Sequence, residues 1–117
     1  MKDSVIVEEK LLRVECDRIL RSYRQMNSVL LSSRSYGRVF GDEDKIDEAA
    51  MRAQMYSIRS AILDVEDSRE RLFLYHYYIK GQSLKTCGKI LGISDRSACR
   101  LKSRALENLI LKVNNKN

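Results

Sequence analysis

Between Ser83 and Leu109 the sequence SLKTCGKILGISDRSACRLKSRALENL carries two runs of helical period that meet across one glycine-marked corner. Leu84, Cys87, Ile90 and Leu91 fall at offsets of three, six and seven, one face of a 3.6-residue helix. Gly88 lies beside that face, where a missing side chain lets a second helix cross closely. Gly92 can take the positive φ that ends a helix, and Ser94 can N-cap the next one, so three residues turn the chain sharply. Beyond the corner, Ala98, Leu101, Ala105 and Leu109 recur at offsets of three, seven and eleven and predict an inward face. Arg96, Arg100 and Ser103 lie on the opposite side.

A helix that reads DNA needs an apolar back and, near its N-terminus, side chains that donate hydrogen bonds to base edges. Arg96 and Arg100 meet that requirement, with Ser97 on the flank as a further base contact. Lys85, Lys89, Lys102 and Arg104 are candidates to hold phosphates. The plainer reading is that any two-helix corner in an all-α protein has this pattern, its basic side chains merely solvating a surface.

The residues LGIS followed by RSACRLKSRALENL resemble the C-terminal helix-turn-helix of bacterial sigma factors, the fourth conserved region, which reads the −35 promoter element. Upstream, ERLFLYHYYIKGQSLKTCGKILGIS is similar to the helix, glycine turn and first helix of that module. The resemblance spans about Ser68 to Leu111 and implies reading positions at Asp95, Arg96, Ser97, Cys99 and Arg100. Lys85 and Thr86 stand where acidic residues are usual, so the usual capping box is missing, and Cys99 stands where a polar or basic side chain is common. The layout, a helical N-terminal half followed by this module, resembles small phage and prophage transcriptional regulators of the ArpU kind.

At 117 residues the chain suits one domain, or a small domain with an appendage, and is short for a complete sigma factor. Proline and tryptophan are absent and only five glycines occur, which argues for helices throughout. The expected fold is all-α: an N-terminal helical hairpin over 1–65, then a helix-turn-helix bundle over 66–117. Residues 1–65 hold 11 Lys/Arg against 11 Asp/Glu, whereas 66–117 hold 11 against 5 and so carry the whole net charge of +6. Concentrated basic charge is the footprint of a polyanion partner. A membrane surface is the lesser candidate, because no amphipathic helix pairs a basic face with bulky exposed aromatics.

Val5, Leu12, Cys16, Ile19, Tyr23, Met26 and Leu30 form a heptad-like stripe on a helix expected over Asp3 to Leu31, widened by Leu11, Leu20 and Leu31. Ser32 to Lys45, with two glycines, three serines and an acidic cluster, reads as a loop. Within it Tyr36, Val39 and Phe40 are apolar enough to dock on the helices or on a partner. Asp47 to Val65 carries a second stripe, Met51, Met55, Ile58, Ile62 and Val65, and two such helices suggest an antiparallel hairpin. Its methionines suit ordinary core better than a promiscuous binding seam. Asp67 and Glu70 have capping-box spacing and open a third helix ending near Gly81, with Leu72, Tyr75, His76 and Ile79 on one face and Phe73 beside it. The YHYY cluster reads as a wedge under the helix-turn-helix rather than a stacking platform for single strands.

No glycine-rich phosphate loop, ligand cluster or nucleophile motif is present, so no enzyme activity, metal or cofactor is expected. Cys16, Cys87 and Cys99 have no metal-ligand spacing and read as reduced thiols. MKDSVIVEEK lacks an apolar signal core, so a cytoplasmic protein is expected. Two functional classes stand: a sequence-specific regulator binding double-stranded DNA, and a protein-interaction factor docking on RNA polymerase or another host protein. The two apolar stripes further suggest a symmetric homodimer, the alternative being a monomer that relies on polymerase for its second contact.

Overall fold

A computed structural model describes the backbone of residues 2–40 and 48–115 and the side chains of residues 12–32 and 48–113. Its elements are α1 (Lys2–Phe40), α2 (Glu48–Leu63), α3 (Ser68–Leu74) running directly into a π-helical turn (Tyr75–Ile79), α4 (Leu84–Leu91) and α5 (Asp95–Asn115). Among the described residues there is no strand, and no helix is long and apolar enough to cross a membrane.

The first departure from expectation is the loop assigned to Ser32–Lys45. Helix α1 continues through Ser32 to Phe40, and residues 41–47 lie outside the described part. Extending an existing helix adds one hydrogen bond per residue without a new nucleus. The run contains no proline, and Gly37, its one glycine before Phe40, costs only about 1 kcal/mol relative to alanine. The side chains of Val5, Leu11, Tyr36, Val39 and Phe40 lie outside the described ones.

One apolar cluster unites the chain. Leu20, Tyr23 and Met26 of α1 and Ile58 and Ile62 of α2 bury against Phe73, Leu74, Tyr78, Cys87, Ala98, Ala105 and Leu109. Both sequence segments, 1–65 and 66–117, therefore contribute to a single core. Among the described residues of the α1 stripe, Leu20, Tyr23, Met26 and Leu30 are buried and Cys16 is half-buried, whereas Leu12 and Ile19 are 47% and 46% exposed and Leu31 is exposed too. In α2, Ile58 and Ile62, with Val65 just beyond the helix, are buried and Met51 and Met55 half-buried, as the stripe predicts.

Helix α3 opens at Asp67, whose carboxylate accepts from the N–H groups of Arg69 (2.9 Å) and Glu70 (3.0 Å). The expected box is half present. Glu70 is buried, and its side chain accepts from Asn108 Nδ2 (2.7 Å) on α5, binding the two helices together. The face expected from Leu72, Tyr75, His76 and Ile79 is corrected: Leu72 is exposed, and Phe73, Leu74 and Tyr78 are the buried residues. A 3.6-residue period misplaces this segment because the chain widens into a π turn, in which the Lys80 N–H donates to the Tyr75 carbonyl (3.0 Å).

Helices α4 and α5 are joined by Gly92, Ile93 and Ser94. Gly92 has φ 69° and ψ 35°, and the Ile93 N–H donates to the Gly88 carbonyl (2.8 Å), closing the end of α4. Ser94 Oγ accepts from the Ser97 N–H (3.1 Å) and so caps α5. At the start of α4, Ser83 Oγ accepts from the Thr86 N–H (3.1 Å) and donates to Thr86 Oγ1 (2.9 Å), so Ser83 caps the helix without an acid at the third position. Gly88 is buried where the helices cross, and a Cβ there would stand tightly against the Ile93 carbonyl oxygen, 3.1 Å away, and 3.7 Å from the Ala98 Cβ. Ile90, expected on this packed face, is exposed instead, and Gly88 takes the inward position beside Cys87.

Candidate nucleic-acid interface

Ala98, Ala105 and Leu109 are buried on the inner side of α5, which leaves the outer side of its N-terminal half free. Arg96, Ser97, Arg100, Ser103 and Arg104 are exposed there, as are Asp95 and Cys99. Ser97 Oγ also accepts from Ser94 Oγ (3.1 Å), so this side chain is shared with the cap. Lys85 and Lys89 are exposed on α4. Basic side chains are thus exposed on both helices that flank the corner.

Lys102 is placed differently from the other basic candidates. Its ammonium is half-covered, 3.5 Å from Asp17 Oδ1 on α1, 3.4 Å from the Tyr77 hydroxyl and 4.9 Å above the centre of the Tyr77 ring. Helical arithmetic foreshadows this. Lys102 is four residues after Ala98 and three before Ala105, on the side of the buried alanines.

The residue at the centre of this arrangement, Asp17, went unnoticed in the sequence. Its Oδ1 accepts from the Tyr78 hydroxyl (2.5 Å) and its Oδ2 from Arg21 Nε (2.7 Å). Arg21 Nη2 in turn donates to the Tyr77 hydroxyl (2.8 Å), and Tyr77 stacks on Phe73 with ring centres 5.4 Å apart. Burial pushes the Asp17 carboxyl up, but the bonds from Tyr78 and Arg21 and the charges of Lys102 and Arg21 outweigh it and hold it below its ordinary value. Burial and the bond to Asp17 both raise the Tyr78 phenol, which stays protonated and donating. Three elements, α1, the π turn and α5, are therefore fastened through one carboxylate.

Gly92 and Ser94 occupy the turn positions assigned to them. His76 Nδ1 lies 2.7 Å from Gln82 Oε1, a packing hydrogen bond. Cys16 is half-buried, its thiol pushed up to about 11 by burial and then by the neighbouring Asp17, while Cys87 is buried and Cys99 exposed. No group of three or more His, Cys, Asp or Glu side chains among the described residues could hold a metal ion. Compared with known proteins, the chain matches no family model, no curated protein and no solved structure.

Proposed function

We propose that this chain is a sequence-specific, double-stranded DNA-binding transcriptional regulator, in which α4, the Gly92 corner and α5 act as a sigma-like helix-turn-helix and the N-terminal half of α5 enters the major groove. The observation that carries the reading is the division of α5: Ala98, Ala105 and Leu109 anchor one side in the core while Arg96 and Arg100 stand exposed on the other, directly after the Ser94 cap. Arginine is the side chain best suited to bidentate contact with guanine in that groove. Lys85, Lys89 and Arg104 hold flanking phosphates in this reading. Lys102 is left out of the phosphate set, because its ammonium already serves Asp17 and Tyr77.

Selection of bound sequences from a random duplex pool tests the proposal. A single enriched motif is expected, and Arg96→Ala or Arg100→Ala should each weaken it by about 1 to 3 kcal/mol and relax preference at one base pair. Equal affinity of the double variant and the parent for the enriched site would remove these residues from the reading. No enrichment at all would move weight to docking on RNA polymerase.

A homodimer belongs to the same proposal, supported by an open apolar groove among α1, α2 and α5. Leu12, Cys16, Ile19, Ile58, Ala61 and Val113 line it. A second copy is its occupant because residues 1–65 carry no net charge to oppose pairing and because one recognition helix reads only a few base pairs.

A further inference from the structure

Helix α1 runs antiparallel to α5. Arg13 pairs with Glu107 (3.3 Å) and, one turn on, Asp17 pairs with Lys102 (3.5 Å), so rising numbers on α1 meet falling numbers on α5. The next turns of α1 therefore carry Arg21 and Arg24 toward the end of α5 that holds Arg96 and Arg100. A cavity of about 340 Å³ opens between α1, the π turn and the start of α4, with Arg21, Arg24, Tyr77, Gln82 and Ser83 among its walls.

Three features of this cavity suit an anion. Arg24 lays its guanidinium over Gly81, where a Cβ would stand only 2.2 Å from Arg24 Cζ, so the missing side chain makes the room the guanidinium occupies. No acid pairs with Arg24 among the described residues, while Arg21 and Lys102 share the single carboxylate of Asp17. Arg21, Arg24 and Lys102 against Asp17 leave an excess of positive charge. Finally, the Tyr77 hydroxyl accepts from both Arg21 and Lys102, which occupies its lone pairs and leaves its own hydrogen to donate.

We propose that the cavity between Arg21, Arg24 and Tyr77 binds a phosphate group, and that its source is the DNA backbone beside the base pairs reached by Arg96 and Arg100. The N-terminal helix is then part of the nucleic-acid surface, not only a support or a dimer seam. An arginine guanidinium presents a planar fork matched to phosphate oxygens, and the Tyr77 hydroxyl supplies a neutral donor beside Arg21. This assignment rests on the DNA-binding reading.

The full chain is compared with Arg24→Ala, Arg24→Lys and, as a control for loss of one exposed charge elsewhere, Arg59→Ala, in duplex binding across a salt series. Arg24→Ala should lower the slope of log affinity against log salt by about one unit, while Arg24→Lys and Arg59→Ala keep it. An unchanged slope in Arg24→Ala, with Arg100→Ala still impaired, overturns the backbone assignment and leaves the DNA-binding reading intact. In parallel, inorganic pyrophosphate is titrated while the amide resonances of Gly81, Gln82 and Ser83 are followed. Shifts in the parent that vanish in Arg24→Ala support the anion site even in a chain that binds no duplex, and then assign it to free phosphate. No shift together with an unchanged slope rejects it outright.

Discussion

Gly92 holds φ 69° with open space where a Cβ would stand, so any replacement is judged by its backbone alone. Left-handed geometry costs an L-residue roughly 1 to 2 kcal/mol, more when the side chain is β-branched and least for asparagine. Gly92→Val should therefore lower the melting temperature by at least several degrees, and Gly92→Asn by clearly less. Equal melts for the two variants would mean that something other than φ governs the position. Asp17 offers a second test at this scale. Its folded-state carboxyl ionises below the ordinary range near pH 4, so its charge stabilises the fold above that range, and the contribution is lost as pH falls through the lowered folded value. Asp17→Asn should melt below the parent at pH 7, with the gap closing as pH drops under 4. A gap that stays constant down to pH 3 would assign the loss to packing rather than charge.

Among the elements, the π turn is tied to its neighbours by side-chain hydrogen bonds. Tyr77 and Tyr78 are adjacent in sequence yet both reach α1, one through Arg21 and the other through Asp17. Their rings meet edge to face at 4.8 Å. Lys102 on α5 closes the same network, so removing its ammonium takes the ion pair from Asp17 and one donor from the Tyr77 hydroxyl while the Tyr78 and Arg21 bonds remain, at a cost of about 0.5 to 1.5 kcal/mol. Lys102→Met keeps the aliphatic stem and should lose that stability while retaining sequence preference on DNA, because Lys102 faces α1 and not the exposed side of α5. Thermal melts and the selected motif together check it. A changed motif at wild-type stability would return Lys102 to the DNA surface.

For the molecule as a whole, stability is shared between the two halves of the sequence. Phe73, Leu74 and Tyr78 lie fully or almost fully buried in one cluster with Leu20, Tyr23, Met26, Ile58 and Ile62. A fragment of residues 66–117 alone would expose part of these side chains, and burying each large apolar side chain contributes about 1.5 to 3 kcal/mol. Such a fragment should show no cooperative thermal transition by circular dichroism, whereas the full chain should melt in one step. A cooperative melt of the fragment near that of the full chain would make 66–117 an independent domain. Assembly is checked by sedimentation at micromolar concentration. A dimer is expected, which Ile19→Glu in the open groove should dissociate, and a purely monomeric parent of 13.6 kDa would leave the groove without a second copy.

Much of the local chemistry was legible in the sequence where it depended on a residue and its near neighbours. The Gly92 corner, the Ser94 and Asp67 caps, the α2 stripe and the inward alanines of α5 all follow from backbone preference or helical period, which act over a few residues. The end of α1 did not follow, because turn-rich composition is a weak signal against a helix already nucleated and free of proline. Nor did the buried face of the third helical segment, where a π turn breaks the 3.6-residue period. The Asp17 network joins residues 61 positions apart in the case of Tyr78, and no local pattern encodes a partner at that distance. Only tertiary packing decided that Lys102 turns inward and that Arg24 stands beside the start of α4, because each depends on where α1 lies along α5, a matter of which apolar faces bury one another across the whole chain.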